Sequence, residues 1–209
     1  MEKNFQLCPH GFLKTPIDGS KPQCKCCGAE IKLGETNCKH CVVKLDIACG
    51  QNKREGFIGI DIVKCEGVDI VHDLNVYPYP FEDNSVDEIF MSHYIEHVPD
   101  LMKFMNELYR ILKVGGTMSV IAPYYNSIRC WQDPTHLQPI SEATFLYYNK
   151  DWRKANKLDH YPITCDFDFS LGYMFAPEWA SRSEEAKQFA IKHYTNVVTD
   201  LQVNLIKKA

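Results

Sequence analysis

The sequence predicts an α/β protein: a doubly wound sheet of seven strands, preceded by a small N-terminal zinc-binding module. Two observations predict the sheet. Short runs rich in Ile and Val recur from residue 42 onward without polar alternation, as in buried parallel strands, and an amphipathic helix separates two of them. A third observation, the crowding of cysteines before residue 42, predicts the module. The 209 residues suffice for one domain of ordinary size with an appendage.

The first half of the domain reads as five parallel strands and one helix. The strands are predicted at residues 42–48, 57–63, 69–71, 86–91 and 117–122. Between the last two, apolar residues recur at three- and four-residue steps over 101–112, which indicates a helix. Asp100 can cap its start, and Gly115 and Gly116 are predicted to end it. Strand, helix and strand in this order form a right-handed crossover.

The second half predicts a strand, a helix and a final strand after a long loop. A short helix is expected at 141–149 with Ser141 as its N-cap, and a strand rich in Tyr and Phe at 166–175. A polar helix over 181–193 and a strand over 197–206 close the chain. The whole pattern predicts the seven-stranded sheet in residues 42–209, with residues 1–41 as a separate module.

Composition and charge exclude several classes of protein. With 45% hydrophobic and 24% charged residues, the chain is typical of a globular protein rather than a disordered or coiled-coil one. No apolar stretch is long enough to cross a bilayer, so we expect a soluble, cytoplasmic protein without a membrane partner. Residues 1–44 carry seven lysines and four acids, whereas residues 45–209 carry 16 bases and 23 acids. The acidic body is poorly suited to binding a phosphate backbone.

The N-terminal cysteines have the spacing of a structural zinc site. Six of the ten cysteines lie in the first 41 residues, a clustering that favours metal binding over disulfides. Two C-x-x-C pairs can supply the four thiolates of a closed tetrahedral zinc site, namely Cys24, Cys27, Cys38 and Cys41. Four further side chains that can bind metal are either unused, alternative ligands for the same ion, or part of a partial site for a second ion: Cys8, His10, Cys26 and His40.

Acidic residues at the ends of the first two strands predict a nucleoside pocket. Asp46 lies on the first strand, a turn of small residues follows, and Asp61 lies at the tip of the second strand, where it can accept both ribose hydroxyls. Only nine residues, 48–56, separate the two strands, fewer than a crossover helix needs. We therefore expect a loop or a vestigial helix there.

Several ordered motifs resemble the class I S-adenosylmethionine-dependent methyltransferases, and in particular a small subgroup whose first turn runs straight into the second strand. They are LDIACG (45–50), GIDI (59–62), HDLN (72–75), FEDNSVDEIFMSHYIEHV (81–98), ELYRILKVGGTMSVIAP (107–123) and DPTH (133–136). The resemblance implies a Rossmann-like methyltransferase sheet. The sequence departs from the family's pattern in the glycine-rich turn, which keeps only its central glycine, Gly50. Ala48 and Asn52 stand at the other two glycine positions.

The resemblance implies a cofactor site for S-adenosylmethionine at the ends of the strands. Asp61 would bind the ribose, Asp73 would face the adenine amino group beside Leu74, and Gly50 would lie against the methionine end. Asp46 would hold either the turn or the ligand's ammonium group. The full expected set is Asp46, Ala48, Gly50, Asp61, Ile62, Asp73, Leu74 and Ser92.

Two histidines are candidate general bases, since methyl transfer to a protonated nucleophile needs one. They are His136, in the loop after the fifth strand, and His93, after the fourth. The neighbouring Glu96 and His97 are either a capping and orienting pair or ligand contacts. Five aromatic side chains after the fifth strand either line a substrate site or pack in the core: Tyr124, Tyr125, Trp131, Tyr147 and Tyr148.

The leading hypothesis is a methyltransferase whose zinc module positions a substrate or contacts a partner. RNA, a sugar or other small metabolite, and a protein all remain possible substrates. The alternative is a non-catalytic adapter in which a zinc ribbon is joined to a methyltransferase-like body. A nucleotide-binding oxidoreductase is disfavoured because the sequence lacks the G-x-G-x-x-G fingerprint.

Overall fold

The structure, a computed structural model, describes residues 42–209 and the backbone of two short N-terminal segments. These segments, Leu7–Cys8 and Gly11–Phe12, pair as antiparallel strands. The four cysteines predicted to bind zinc, like most of the predicted module at residues 1–41, lie outside the described residues.

A mixed seven-stranded sheet forms the body, as the sequence predicts. Its strands are β1 (Lys44–Ile47), β2 (Ile58–Asp61), β3 (Ile70–Val71), β4 (Val86–Ser92), β5 (Leu112–Pro123), β6 (Phe167–Phe175) and β7 (Val198–Lys207). The order across the sheet is β3-β2-β1-β4-β5-β7-β6. The first five strands are parallel, and β7 runs antiparallel to both of its neighbours.

Six α-helices accompany the described part of the sheet. They are α1 (Leu101–Ile111), α2 (Ile128–Trp131), α3 (Glu142–Leu146), α4 (Lys150–Ala155), α5 (Pro177–Ala180) and α6 (Glu184–His193), and a 3-10 turn spans Ile95–His97. The sequence predicts α1, α3 and α6. It misses α2, α4 and α5, each of six residues or fewer, because so short a helix leaves no sustained apolar period.

Helix α1 starts as predicted and ends earlier than predicted. Asp100 caps it by accepting a 3.0 Å hydrogen bond from the backbone N–H of Lys103. The helix ends at Ile111, not at the glycines, because Leu112 is already extended and begins β5. Gly115, with φ of 77°, instead lies in the irregular part of β5, where the pairing with β4 shifts register.

The core lies between the central strands and α1. Leu45, Ile47, Ile60, Ile89 and Met91 on the strands are fully buried, and so is the face of α1 formed by Phe104, Met105, Leu108 and Ile111. Burying a side chain of this size contributes about 1.5–3 kcal/mol. Because the central parallel strands are held in this way, the loops at their carboxyl ends start from fixed points.

The connection between β1 and β2 is a loop without a helix, as its length predicts. The carboxyl ends of β1, β2, β4 and β5 meet at one edge of the sheet, and antiparallel β7 begins there, with Asp200 paired to Pro123. In the described part of the chain, no helix is long and apolar enough to cross a membrane.

Candidate active site

The turn after β1 is fixed by the buried carboxylate of Asp46. Its Oδ2 accepts a 2.7 Å hydrogen bond from the backbone N–H of Arg54 across the turn. Only 3% of the residue is exposed, and this burial raises the pKa of the carboxyl group. Of the two roles that the resemblance implies for Asp46, this geometry matches the one of holding the turn.

Two residues of this turn adopt left-handed backbone conformations. Ala48 has φ of 54° and Gly50 has φ of 51°. The left-handed conformation is costly for Ala, by about 1–2 kcal/mol, but not for Gly. The chain thus keeps, at Ala48, a backbone conformation that suits glycine. An ideal Cβ built on Gly50 meets nothing within 4 Å, so the space beside this residue is open.

Asp61, at the end of β2, is connected to the β1 turn. Its Oδ2 accepts a 3.0 Å hydrogen bond from the backbone N–H of Gly50, and its Oδ1 accepts one of 3.0 Å from that of Val63. A carboxylate oxygen can accept more than one hydrogen bond, so both oxygens can still accept from a ligand hydroxyl.

Beside this turn lies a cavity of about 260 Å³. Its lining includes five of the eight residues expected around the cofactor, together with two that the sequence analysis missed: Ala48, Asp61, Ile62, Asp73, Leu74, Asn75 and Tyr94. Asp46, Gly50 and Ser92 are not among the lining residues. The topology could have indicated Asn75 and Tyr94, since one follows Leu74 directly and the other lies two residues beyond the end of β4.

Asp73 is held in its loop by a short-range turn. Its Oδ1 accepts hydrogen bonds from the backbone N–H of Asn75 at 2.9 Å and from Nδ2 of the same residue at 3.2 Å. Leu74, between the two, is 3% exposed and packs in the core. The cavity therefore combines carboxylates from two successive strand ends with an apolar wall.

His93, immediately after β4, lies between two buried carboxylates. Its Nδ1 is 3.5 Å from Oε1 of Glu96, and its Nε2 is 3.6 Å from Oδ1 of Asp200. The backbone of His93 is left-handed, with φ of 54°, and 36% of its side chain is exposed. Asp200 also forms a 2.6 Å salt bridge with Arg129. His93 is thus oriented by acidic groups and open to solvent.

His136, the other candidate base, is more enclosed. Its side chain is 10% exposed, and its Nδ1 donates a 2.8 Å hydrogen bond to the backbone carbonyl of Cys130. Its Nε2 lies 3.9 Å from Oε1 of Glu96. Neither carboxylate oxygen of Glu96 has a hydrogen-bond partner among the described residues, so this side chain does not cap the 3-10 turn through a hydrogen bond. The sheet edge brings both histidines to the same glutamate.

The aromatic group divides between the core and the surface. Tyr124 and Tyr148 are 3% exposed, and the hydroxyl of Tyr124 donates to Glu142 at 2.8 Å. By contrast, Tyr125 is 41% and Trp131 is 66% exposed, and the indole N–H of Trp131 donates to the carbonyl of Tyr125. Tyr147 is half-buried and packs against Trp152 and Tyr161. The most exposed members of the group are therefore Tyr125 and Trp131.

Comparison with known proteins finds similarity to methyltransferases over part of the chain. A family model described as a methyltransferase domain matches residues 26–120. Demethylmenaquinone methyltransferase of Listeria welshimeri is 35% identical over 65 residues, which are 31% of this chain and 27% of that protein. The mitochondrial 2-methoxy-6-polyprenyl-1,4-benzoquinol methylase of Leishmania donovani is 35% identical over 69 residues, 33% of this chain and 21% of that one. The matches thus span about a quarter of these relatives.

Among solved structures, a S-adenosylmethionine-dependent methyltransferase from Archaeoglobus fulgidus has the same fold. The alignment covers 81% of this chain and 87% of that one, with a TM-score of 0.58 and 22% identity. The strand order, with its antiparallel seventh strand, agrees with the fold that the sequence motifs imply. The chain therefore has the fold of this S-adenosylmethionine-dependent methyltransferase, and residues 26–120 match the model of a methyltransferase domain.

Proposed function

We propose that the protein transfers a methyl group from S-adenosylmethionine to an acceptor substrate. The observation that carries the proposal is the cavity at the carboxyl edge of the sheet. Its lining combines the carboxylates of Asp61 and Asp73 with apolar side chains, and it lies beside the turn after β1, which has left-handed backbone conformations. In doubly wound sheets, ligands bind at this edge, where the strand order reverses. Here β1 lies between β2 and β4, which is the reversal point.

The residues around the cavity fit the cofactor's parts. Both oxygens of Asp61 can accept from ribose hydroxyls, Asp73 offers an acceptor for an amino group, and Leu74 and Tyr94 offer apolar surface for a ring. The open space beside Gly50 suits the methionine end. When bound, the cofactor would supply an electrophilic methyl group, and the chain's own residues would position it and exclude water.

For proton transfer we favour His93 over His136. Its greater exposure leaves it accessible to an acceptor at the sheet edge, whereas His136 is largely enclosed. Glu96, 3.5 Å from Nδ1, would orient the imidazole as in a carboxylate–histidine pair, which leaves Nε2 to accept a proton. Asp200, 3.6 Å from Nε2, would then stabilise the imidazolium that forms. His93 would accept the proton of the attacking nucleophile if that nucleophile carries one.

Among the possible acceptors, we favour a small molecule with an apolar ring over RNA or protein. Three large apolar side chains on one side of the site are exposed, Ile128 by 62%, Trp131 by 66% and Leu137 by 59%. The acidic body disfavours RNA. By their names, two of the partial relatives act on quinone-type molecules. Turnover of a quinol but not of RNA or protein would support this choice.

We further propose that residues 1–41 form a zinc module with Cys24, Cys27, Cys38 and Cys41 as ligands, in contact with a substrate or partner. The spacing of the two C-x-x-C pairs supports it. Metal analysis under reducing conditions tests it: Cys38→Ser should release about one tightly held zinc per chain while residues 42–209 stay folded. A zinc content in that variant equal to that of the wild type would contradict the assignment.

The cofactor itself gives the first test of methyl transfer. Protein purified without added ligand should release S-adenosylmethionine or its demethylated product on denaturation, detected by mass spectrometry. Incubation with the labelled cofactor and a quinol acceptor should then yield labelled product. A protein that neither retains nor binds either compound would instead be an adapter.

A further inference from the structure

Glu96 is a buried carboxylate whose oxygens are unsatisfied. The residue is 1% exposed, and neither Oε1 nor Oε2 has a hydrogen-bond partner among the described residues. Ring nitrogens of two histidines lie near it, those of His93 at 3.5 Å and of His136 at 3.9 Å from Oε1. A buried carboxylate without partners is unfavourable, so this position calls for a cation or a proton.

His97 and His136 each use Nδ1 in a hydrogen bond with the loop 130–135. Nδ1 of His136 lies 2.8 Å from the carbonyl of Cys130, and Nδ1 of His97 lies 3.2 Å from the carbonyl of Thr135. A carbonyl can only accept, and the Thr135 hydroxyl, 3.1 Å from Nδ1 of His97, already donates to Asp133. Each Nδ1 therefore carries a proton, and each ring in its neutral form has a lone pair on Nε2. For His136 that lone pair faces Glu96 Oε1, another acceptor.

We propose that Glu96, His97 and His136 bind one divalent transition-metal ion. One ligand atom from each residue lies within 4.8 Å of the other two. Ligand atoms around a tetrahedral zinc ion lie roughly 3.3 Å apart, so a closure of at most roughly 1.5 Å completes the site. Two imidazoles and one carboxylate suit Zn²⁺ or Fe²⁺, whereas Mg²⁺ and Ca²⁺ prefer oxygen ligands alone.

The surrounding contacts are those of a metal-binding site. Metal-binding histidines donate their second ring N–H to a carbonyl or carboxylate, which fixes the ring and its tautomer. His97 and His136 both do so, by donating to the carbonyls at the two ends of the loop 130–135, those of Thr135 and Cys130. That loop is itself held by Asp133, whose Oδ1 accepts from the N–H and hydroxyl of Thr135.

Three protein ligands leave at least one coordination position free. Catalytic zinc sites have this arrangement and hold water or a substrate atom in the open position. The site lies at the same sheet edge as the proposed cofactor cavity, because Glu96 follows β4 and His136 follows β5. A metal there would bind an oxygen of the acceptor. Metal binding itself does not depend on methyl transfer and is tested without cofactor.

Titration of the full chain with Co²⁺ distinguishes this site from the cysteine site. A site of nitrogen and oxygen ligands gives visible d–d absorption without the near-ultraviolet band of cobalt–thiolate coordination. We expect one such equivalent per chain in the wild type. Glu96→Gln and His97→Gln should weaken it at least about 100-fold, because each removes a direct ligand. His160→Gln, at an exposed histidine stacked on Tyr161, is the matched control and should bind normally.

A variant that gains an absorption band separates loss of the metal site from loss of the folded protein. His97→Cys should keep the metal and add a cobalt–thiolate band. Zn²⁺ should also raise the melting temperature of the wild type and of His160→Gln, and not that of Glu96→Gln. Two results would overturn the proposal: no Co²⁺ bound through nitrogen and oxygen in the wild type, or equal binding in the ligand variants. In the first case, Glu96 shares a proton with its histidines instead.

Discussion

The backbone N–H of Gly50 donates a 3.0 Å hydrogen bond to Oδ2 of Asp61. This bond joins the turn after β1 to the end of β2, so the residue expected to bind ribose also holds the loop expected to face the methionine end. The ligand-binding role proposed for Asp61 must therefore be separated from this structural role.

Two replacements of Asp61 separate these roles. Asp61→Ala should weaken S-adenosylmethionine binding by about 1.5–3 kcal/mol, the usual worth of hydrogen bonds to a charged acceptor. Asp61→Asn keeps the side-chain shape and one acceptor oxygen, and should lose less. Asp159→Ala, at an exposed acid remote from the cavity, is the control. Calorimetry measures all three, and unchanged affinity in a folded Asp61→Ala would remove Asp61 from the site.

His93→Asn tests the base. Asn tolerates the left-handed backbone of this position, so the variant should fold. Turnover of an acceptor with a protonated nucleophile should fall at least about 100-fold, since general-base assistance contributes 10²–10⁴-fold. Cofactor affinity should change little. Normal turnover in a folded His93→Asn would exclude His93 as the base.

Gly59 lies where the neighbouring atoms leave no room for a side chain. A Cβ at this position would lie 2.5 Å from the carbonyl oxygen of Gly67 and 2.6 Å from Sγ of Cys49. Gly59→Ala should therefore lower the free energy of unfolding by about 1–3 kcal/mol, the usual cost of overpacking. In Gly172→Ala the nearest atom is 3.9 Å away, so this strand variant should be close to neutral. Denaturant unfolding compares them, and equal stabilities would contradict the packing.

Tyr94, in the cavity wall, should make stability depend on alkaline pH. Burial raises the pKa of its hydroxyl from 10.0 to about 12. The folded state thus retains a proton that the unfolded chain loses above about pH 10, so the stabilisation is complete below pH 10 and is lost as pH rises towards 12. Tyr94→Phe should show a shallower decline over this window in denaturant unfolding. The same slope in both proteins would show that Tyr94 does not contribute.

Much of the fold follows from local pattern. Buried parallel strands leave uninterrupted apolar runs, and α1 leaves a clear helical period, so both could be predicted. The end of α1 could not, because Gly115 resembles a helix stop while pairing with β4 draws Leu112 into β5. Tertiary pairing overrides the local signal there.

The candidate site could be predicted only where it follows strand ends. Asp61 and Asp73 each follow a strand, and this placement indicated the cavity. The cluster around Glu96 joins residues about 40 apart in the chain, and no spacing rule connects them. Neither its burial nor the missing partners of Glu96 can be read from a sequence in which Glu-His resembles an ordinary pair at the start of a helix.

Calorimetric titration of the full chain with S-adenosylmethionine tests the central claim most directly. The account predicts saturable heat with about one site per chain, and loss of most of that affinity in Asp61→Ala. The absence of binding heat in a folded protein from which any retained ligand has been removed would contradict the claim. The methyltransferase fold would then serve as an adapter and not as an enzyme.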